Sequence, residues 1–119
     1  MFQLSLRMTA QPRRAAEVAK VLRLATIEAR AERGYLDSRI YQEVGTPEAL
    51  CLEEDWASEE ELKSRICSNS FTDLLRLMET ASATPVLEVR AVSTILGLEY
   101  IEAVRFGDNL PASGEGRRT

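Results

Sequence analysis

Between Leu50 and Phe71 the chain reads LCLEEDWASEEELKSRICSNSF, and this stretch gathers the side chains best placed to do chemistry together. Glu54 and Trp56 are two residues apart, so on a strand they share a face with Leu52 and Leu50. A carboxylate on an apolar face either accepts a proton or pairs with a helix N-terminus or an arginine. The indole beside it either stacks on a planar ligand or seals a helix against the sheet. Arg65 follows Glu61 by four residues, the spacing of a surface ion pair worth ~0.3–0.5 kcal/mol. The chain has no histidine. Zinc and non-haem iron sites rely heavily on imidazole, and arginine has no free lone pair to replace it, so neither a metal nor another cofactor is expected. Cys51 and Cys67 lack C-x-x-C spacing and read as small core residues in a reducing compartment. No Gly-rich phosphate cradle marks a flavin or nucleotide site.

The elements that must position these residues follow from the periods. Phe2, Leu4, Leu6 and Met8 alternate with polar residues, a strand with two unlike faces. Pro12 suits the first turn of a helix running to Arg33, whose stripe is Val18, Val21, Leu22, Ala25 and Ala29, and Gly34 ends it. Tyr35 to Val44 and Ala49 to Trp56 form strands joined by the loop Gly45-Thr46-Pro47-Glu48. Ser58-Glu59-Glu60-Glu61 is a capping box opening a second helix. A further helix starts at Ser70 and faces inward through Phe71, Leu74, Leu75 and Met78. Val86 to Ile95 is the last strand. The order βαββαβ, with the second helix in two pieces, is ferredoxin-like and α+β. Residues 1–96 make this domain, 97–108 an amphipathic extension, and 109–119 a flexible tail rich in Gly, Pro and polar residues.

A chain of 119 residues forms one domain, and a net charge of -4 with no basic cluster argues against nucleic acid. Nowhere do roughly 18 apolar residues run together, and the N-terminus lacks the basic and apolar regions of a signal peptide, so no membrane partner and a cytoplasmic location are expected. On the first strand the apolar set must face the helices, with Leu36, Ile40, Val89 and Ala91 completing that wall. The opposite face collects Gln3, Ser5, Arg7, Asp37, Arg39, Tyr41, Glu43, Cys51, Glu53, Asp55, Glu88 and Arg90. Its mixed signs allow cross-strand pairs, with the face either solvated or set against a second copy. It lacks the paired aromatics and basic residues of an RNA-binding sheet.

The strand ending Glu54-x-Trp56, the capped helix after it and Phe71 resemble the antibiotic biosynthesis monooxygenase (ABM) domain family, with Arg65 where the family usually places a histidine. The resemblance implies a homodimer in which two sheets face each other as a dimeric α+β barrel. The stripe Leu98, Ile101 and Val104 has no core position left to fill in the four-element fold, so the extension is expected to pack on the partner. The resemblance also implies a cavity between sheet and helices, lined by Leu6, Trp56, Ile66, Phe71, Leu75 and Met78, with Glu54 and Arg65 as its polar groups. Such a cavity suits a small aromatic molecule, a quinol or polyphenol. Cofactor-independent monooxygenases of the family let the deprotonated substrate itself reduce O₂. On that pattern Glu54 would take the phenolic proton, Arg65 would stabilise the anion and Trp56 would stack on the ring. Haem-degrading relatives hold iron through the missing histidine, so haem chemistry is not expected. The alternative is a non-catalytic dimeric ligand-binding or stress-related protein of the same fold.

Overall fold

In the computed structural model, which describes residues 1–107, four strands and four helices follow one another. They are β1 (Phe2–Thr9), α1 (Ala15–Arg30), β2 (Tyr35–Glu43), β3 (Thr46–Trp56), α2 (Glu59–Ile66), α3 (Asn69–Met78), β4 (Val86–Ala91) and α4 (Leu98–Phe106). The strands form one antiparallel sheet in the order β2-β3-β1-β4. The alternation of β1 is realised in the register: Leu4, Leu6 and Met8 lie opposite Glu54, Leu52 and Leu50, and Phe2 lies opposite Trp56. Leu4, Leu6, Met8, Leu50, Leu52 and Trp56 join Val18, Leu22 and Ala25 of α1, Leu62 of α2, and Phe71 and Leu74 of α3 in a single buried cluster, with Phe2 packed against it.

The sheet is open and does not close into a barrel, which corrects the expected α+β barrel. β2 and β4 each have a single neighbour and form its two edges. Closure of a sheet requires its edge strands to meet through tilt and stagger, and four strands with two unpaired edges do not provide that. On the mixed-charge face the cross-strand pairs that its signs allow are formed. Arg39 bonds Asp55 through both terminal nitrogens at 2.9 and 3.0 Å, and also reaches Asp37 at 2.9 Å and Glu53 at 3.3 Å. Gln3 donates to Asp55 at 3.0 Å and accepts from Arg90, which pairs with Glu88. Burial alone would push the Asp55 carboxyl up, but the hydrogen bonds from Arg39 and Gln3 outweigh it and hold the carboxyl below its ordinary value. The bond to Asp55, larger than the opposing effect of burial, raises Arg39.

Several boundaries fall elsewhere than periodicity places them. Helix α1 begins at Ala15 rather than at Pro12, because Arg13 sits at φ 68°, a left-handed conformation that a right-handed helix cannot include. The β2–β3 connection is a tight turn at Val44-Gly45, with Gly45 at φ 88°, and Thr46-Pro47-Glu48 belongs to β3. A register shift beside Gln42, whose side chain donates to the Pro47 carbonyl at 2.8 Å, accommodates the proline. Helix α3 starts at Asn69 and buries Phe71, Leu74 and Leu77, which leaves Leu75 on its exposed side. β4 ends at Ala91. Leu36 and Val89, expected on the covered wall, are 53% and 50% exposed: Leu36 falls in the register shift between Tyr35 and Asp37, and Val89 lies on the edge strand β4, which the helices leave uncovered. Helix α4 lies within the stretch read as an extension, ends at Gly107 with φ 79° and buries none of its residues. The expected tail at 109–119 lies outside the described residues. Among those described, no helix is long and apolar enough to cross a membrane.

Candidate active site

The sheet delivers Glu54 and Trp56 to the helix side, two residues apart on β3. Helix α2 delivers Arg65. Ser58 caps α2 by accepting from the Glu61 N–H at 3.4 Å, and its hydroxyl donates to the Glu61 carboxylate at 3.1 Å. That carboxylate also lies where a side chain on Gly34 would stand. Glu61 is therefore held at the start of its own helix, and no Glu61–Arg65 pair forms. Arg65 turns inward on the face it shares with Leu62, three residues earlier.

There the guanidinium meets Glu54 as a fork, with Nε donating to Oε1 at 3.1 Å and Nη2 to Oε2 at 2.9 Å. The Trp56 indole N–H donates to the same Oε1 at 3.2 Å, and Arg65 Nη1 donates to the Ser70 hydroxyl. The guanidinium carbon stands 5.7 Å from the centre of the Phe71 ring, in cation–π range. Tyr35 packs edge-on against Trp56, with ring centres 5.9 Å apart. Glu54, Trp56 and Arg65 are all 0% exposed. Two opposite charges taken out of water in this way are tolerated because both carboxylate oxygens and all three guanidinium nitrogens used here have partners.

Of the eight residues expected at the site, the structure thus brings five together. Leu6, Glu54, Trp56, Arg65 and Phe71 are buried as one packed group. Ile66 and Leu75 are instead 38% and 45% exposed. Met78 is half-buried at the edge of the core. Ser70, Ser68 and Tyr35 belong to the cluster and were not anticipated. Ser68 donates to the Arg65 carbonyl at 2.6 Å and exchanges a hydrogen bond with Ser70, tying the α2–α3 junction to the ion pair. Among the described residues no three His, Cys, Asp or Glu side chains gather in an arrangement able to hold a metal ion.

An open antiparallel sheet of this order, with split helices on one face and a carboxylate–indole–guanidinium cluster beneath them, defines a ferredoxin-like α+β domain. Solved structures share that fold. A conserved protein from Methanosarcina mazei Go1 superimposes with a TM-score of 0.70 at 22% identity, over 77% of this chain and 92% of that one. Rv0793 from Mycobacterium tuberculosis does so with a TM-score of 0.71 at 18% identity, over 81% and 98%. SnoaB, a cofactor-independent oxygenase from Streptomyces nogalater, gives 0.70 at 11% identity, over 80% and 95%. At such identities the likeness is one of fold. No curated protein matches the chain. The sequence itself supplies the assignment: residues 1–75 match the antibiotic biosynthesis monooxygenase family, and the chain belongs to it.

Proposed function

We propose that the protein is a cytoplasmic, cofactor-independent monooxygenase acting on a small aromatic of the quinol or naphthol type. Family membership supports the reaction class, and the observation that carries the residue assignment is the buried contact of Arg65 with both oxygens of Glu54. In this reading a phenolic substrate enters beside Trp56 and exchanges places with half of the ion pair. Arg65 passes from the Glu54 carboxylate to the substrate oxygen as the phenolic proton passes to Glu54. Net charge in the closed site stays at zero throughout, so the proton moves without leaving an unpaired charge in a dry environment. The electron-rich ring then reduces O₂. A naphthol with one O₂ gives a naphthoquinone and one water, the four electrons coming from the substrate. Because Glu54, Trp56 and Arg65 have no exposed surface, entry requires the α2–α3 junction at Cys67-Ser68 to open. Ile66, Leu75 and Met78 would then line the way in.

The same observation favours a second reading, in which the satisfied ion pair is purely structural and the protein binds ligands without turning them over. Oxygen uptake with a panel of quinols and naphthols separates the two. On the first reading Glu54→Gln and Arg65→Lys, once shown to be folded, lose turnover; uptake absent from the unaltered protein across the panel favours the second. We also propose a homodimer in which α4 packs on the partner. Leu98, Ile101, Val104 and Phe106 are all more than half exposed, and nine residues of helix are too few to be stable alone in water. Truncation after Leu96 should shift the mass measured by light scattering towards the monomer.

A further inference from the structure

Each half of the buried pair has a second anchor. Glu54 Oε1 accepts the Trp56 indole N–H as well as Arg65 Nε, and Arg65 donates through Nη1 to Ser70 as well as through Nε and Nη2 to Glu54. When the two part, the carboxyl stays on the indole and the guanidinium stays on the hydroxyl. Among the described residues no third charge bonds either partner. Leu4 and Ser38 lie opposite Glu54 on β1 and β2, and the Ser38 hydroxyl is bonded to the Tyr35 phenol. Helix α3 brings Ser70 and Phe71 to Arg65, the buried residues of α1 carry no charge, and Glu61 of α2 is held at its own cap.

A hydroxyl that enters between the two halves therefore has Glu54 as its proton acceptor, while its oxygen takes the N–H groups that Glu54 gives up. Arg65 serves the old anion and the new one through the same fork, so the relative acidity of the two groups decides the transfer. A simple phenol is a weaker acid than a carboxylic acid by a factor of about 10⁵–10⁶ and keeps its proton. We propose that the substrate class of this site is an aromatic whose reacting hydroxyl is acidified by a carbonyl group conjugated with it through the ring, bound as the anion with its proton on Glu54. This rests on the reading of Glu54 and Arg65 as the reacting site and narrows the quinols and naphthols to such members. An anion of this kind taken from water brings one proton with it, because the site, with no exposed surface, does not hold a second unpaired charge.

The probe is 4-acetyl-1-naphthol, whose ionised and neutral forms differ in absorption, with 1-naphthol as the same ring system lacking the carbonyl. Below the pH at which the free probe ionises, the bound probe should show the band of its anion, and 1-naphthol should bind at least about tenfold more weakly. With the unaltered protein Kd should be flat below that pH and rise about tenfold per pH unit above it, where the proton must come from water. In Glu54→Gln the acceptor is gone and Arg65 is unpaired, so Kd should instead fall about tenfold per pH unit up to that point and then level off. A purely structural pair gives no such inversion. Failure of the probe to bind, a neutral spectrum for the bound probe, or 1-naphthol binding as tightly would each overturn the proposal. A Gln variant with the unaltered protein's pH profile would do the same, and where that variant does not fold the spectrum in the unaltered protein decides. Oxygen uptake is read separately: turnover of 1-naphthol beside a neutral bound spectrum overturns the acidity requirement and leaves the monooxygenase standing. The anion band without uptake across the panel upholds the proton exchange and removes the monooxygenase.

Discussion

Replacing Arg65 by alanine tests the central geometry, because an exposed helix pair and a buried fork make very different forecasts. Were Arg65 paired with Glu61 at the surface, its loss would cost ~0.3–0.5 kcal/mol. In the structure the substitution removes two bonds to a carboxylate that is 0% exposed, one bond to Ser70 and a cation–π contact with Phe71. It leaves the Glu54 charge buried, with only the Trp56 indole as donor. Breaking a buried pair in this way costs ~3–5 kcal/mol, a large share of the roughly 5–15 kcal/mol that holds a domain together. At about 4 °C per kcal/mol for a chain of this size, the melting temperature should fall by ~12–20 °C. Glu54→Gln with Arg65→Met removes both charges and should recover much of that loss, since an apolar replacement of a complete pair is often near neutral. Urea unfolding followed by circular dichroism on the two single variants and the double measures the coupling. A loss below about 1 kcal/mol in Arg65→Ala, or costs that simply add in the double variant, would refute the buried-pair account.

Gly34→Ala should destabilise the fold, since Gly34 has φ 83° and an added Cβ would meet the Glu61 side chain that holds the α2 cap; a thermal melt checks this, with Glu61→Ala partly relieving it. Trp56→Phe should cost on the order of 1–3 kcal/mol in the same unfolding assay, because the indole is fully buried and its N–H bonds Glu54. The outer-face network predicts an acid limb. Asp55 has a folded pKa below its ordinary 3.8, so its contribution to stability is complete above that value and is lost as pH falls through the lower, folded one. Arg39→Gln should flatten stability against pH below about 4 while changing the slope above 5 little.

Most of the topology was legible because it rests on period. The alternation of Phe2 to Met8 and the stripe of Val18, Leu22, Ala25 and Ala29 put the core where it is found. What periodicity could not reach were places where one residue's conformation overrides the pattern. Arg13 at positive φ moves the start of α1, and the tight turn at Gly45 moves the hairpin. The barrel failed for another reason: the resemblance supplied it, and the sheet of a single chain remains open. For the site, Glu54 and Trp56 could be put on the inner face by counting in twos, whereas helix spacing alone pairs Arg65 with Glu61 and the family resemblance was needed to set it beside Glu54. The signal available was that Arg65 lies three residues after Leu62, on the buried side of α2, and that a carboxylate on an apolar face needs a cationic partner. Leu75 and Leu77 differ only in which side of a ten-residue helix meets α1, and the tertiary packing settles that.

The place of β1 in the sheet governs the order in which the protein can be made. It is the first strand to be synthesised, yet both its neighbours come late, the pairing to β3 starting at Ala49 and that to β4 at Val86. Until those residues emerge, a strand carrying Leu4, Leu6 and Met8 has nothing to pair with. The β2–β3 hairpin, joined by a short turn, is by contrast local and can form at once. A growing chain therefore carries one of its two inner strands unpaired until β3 is made, and paired on one side only until β4 is. Long-range pairings of this kind fold slowly and expose apolar surface meanwhile. Even the amino terminus waits, because the Met1 ammonium donates to the Val92 carbonyl at 2.9 Å and so closes on a residue made after the whole sheet.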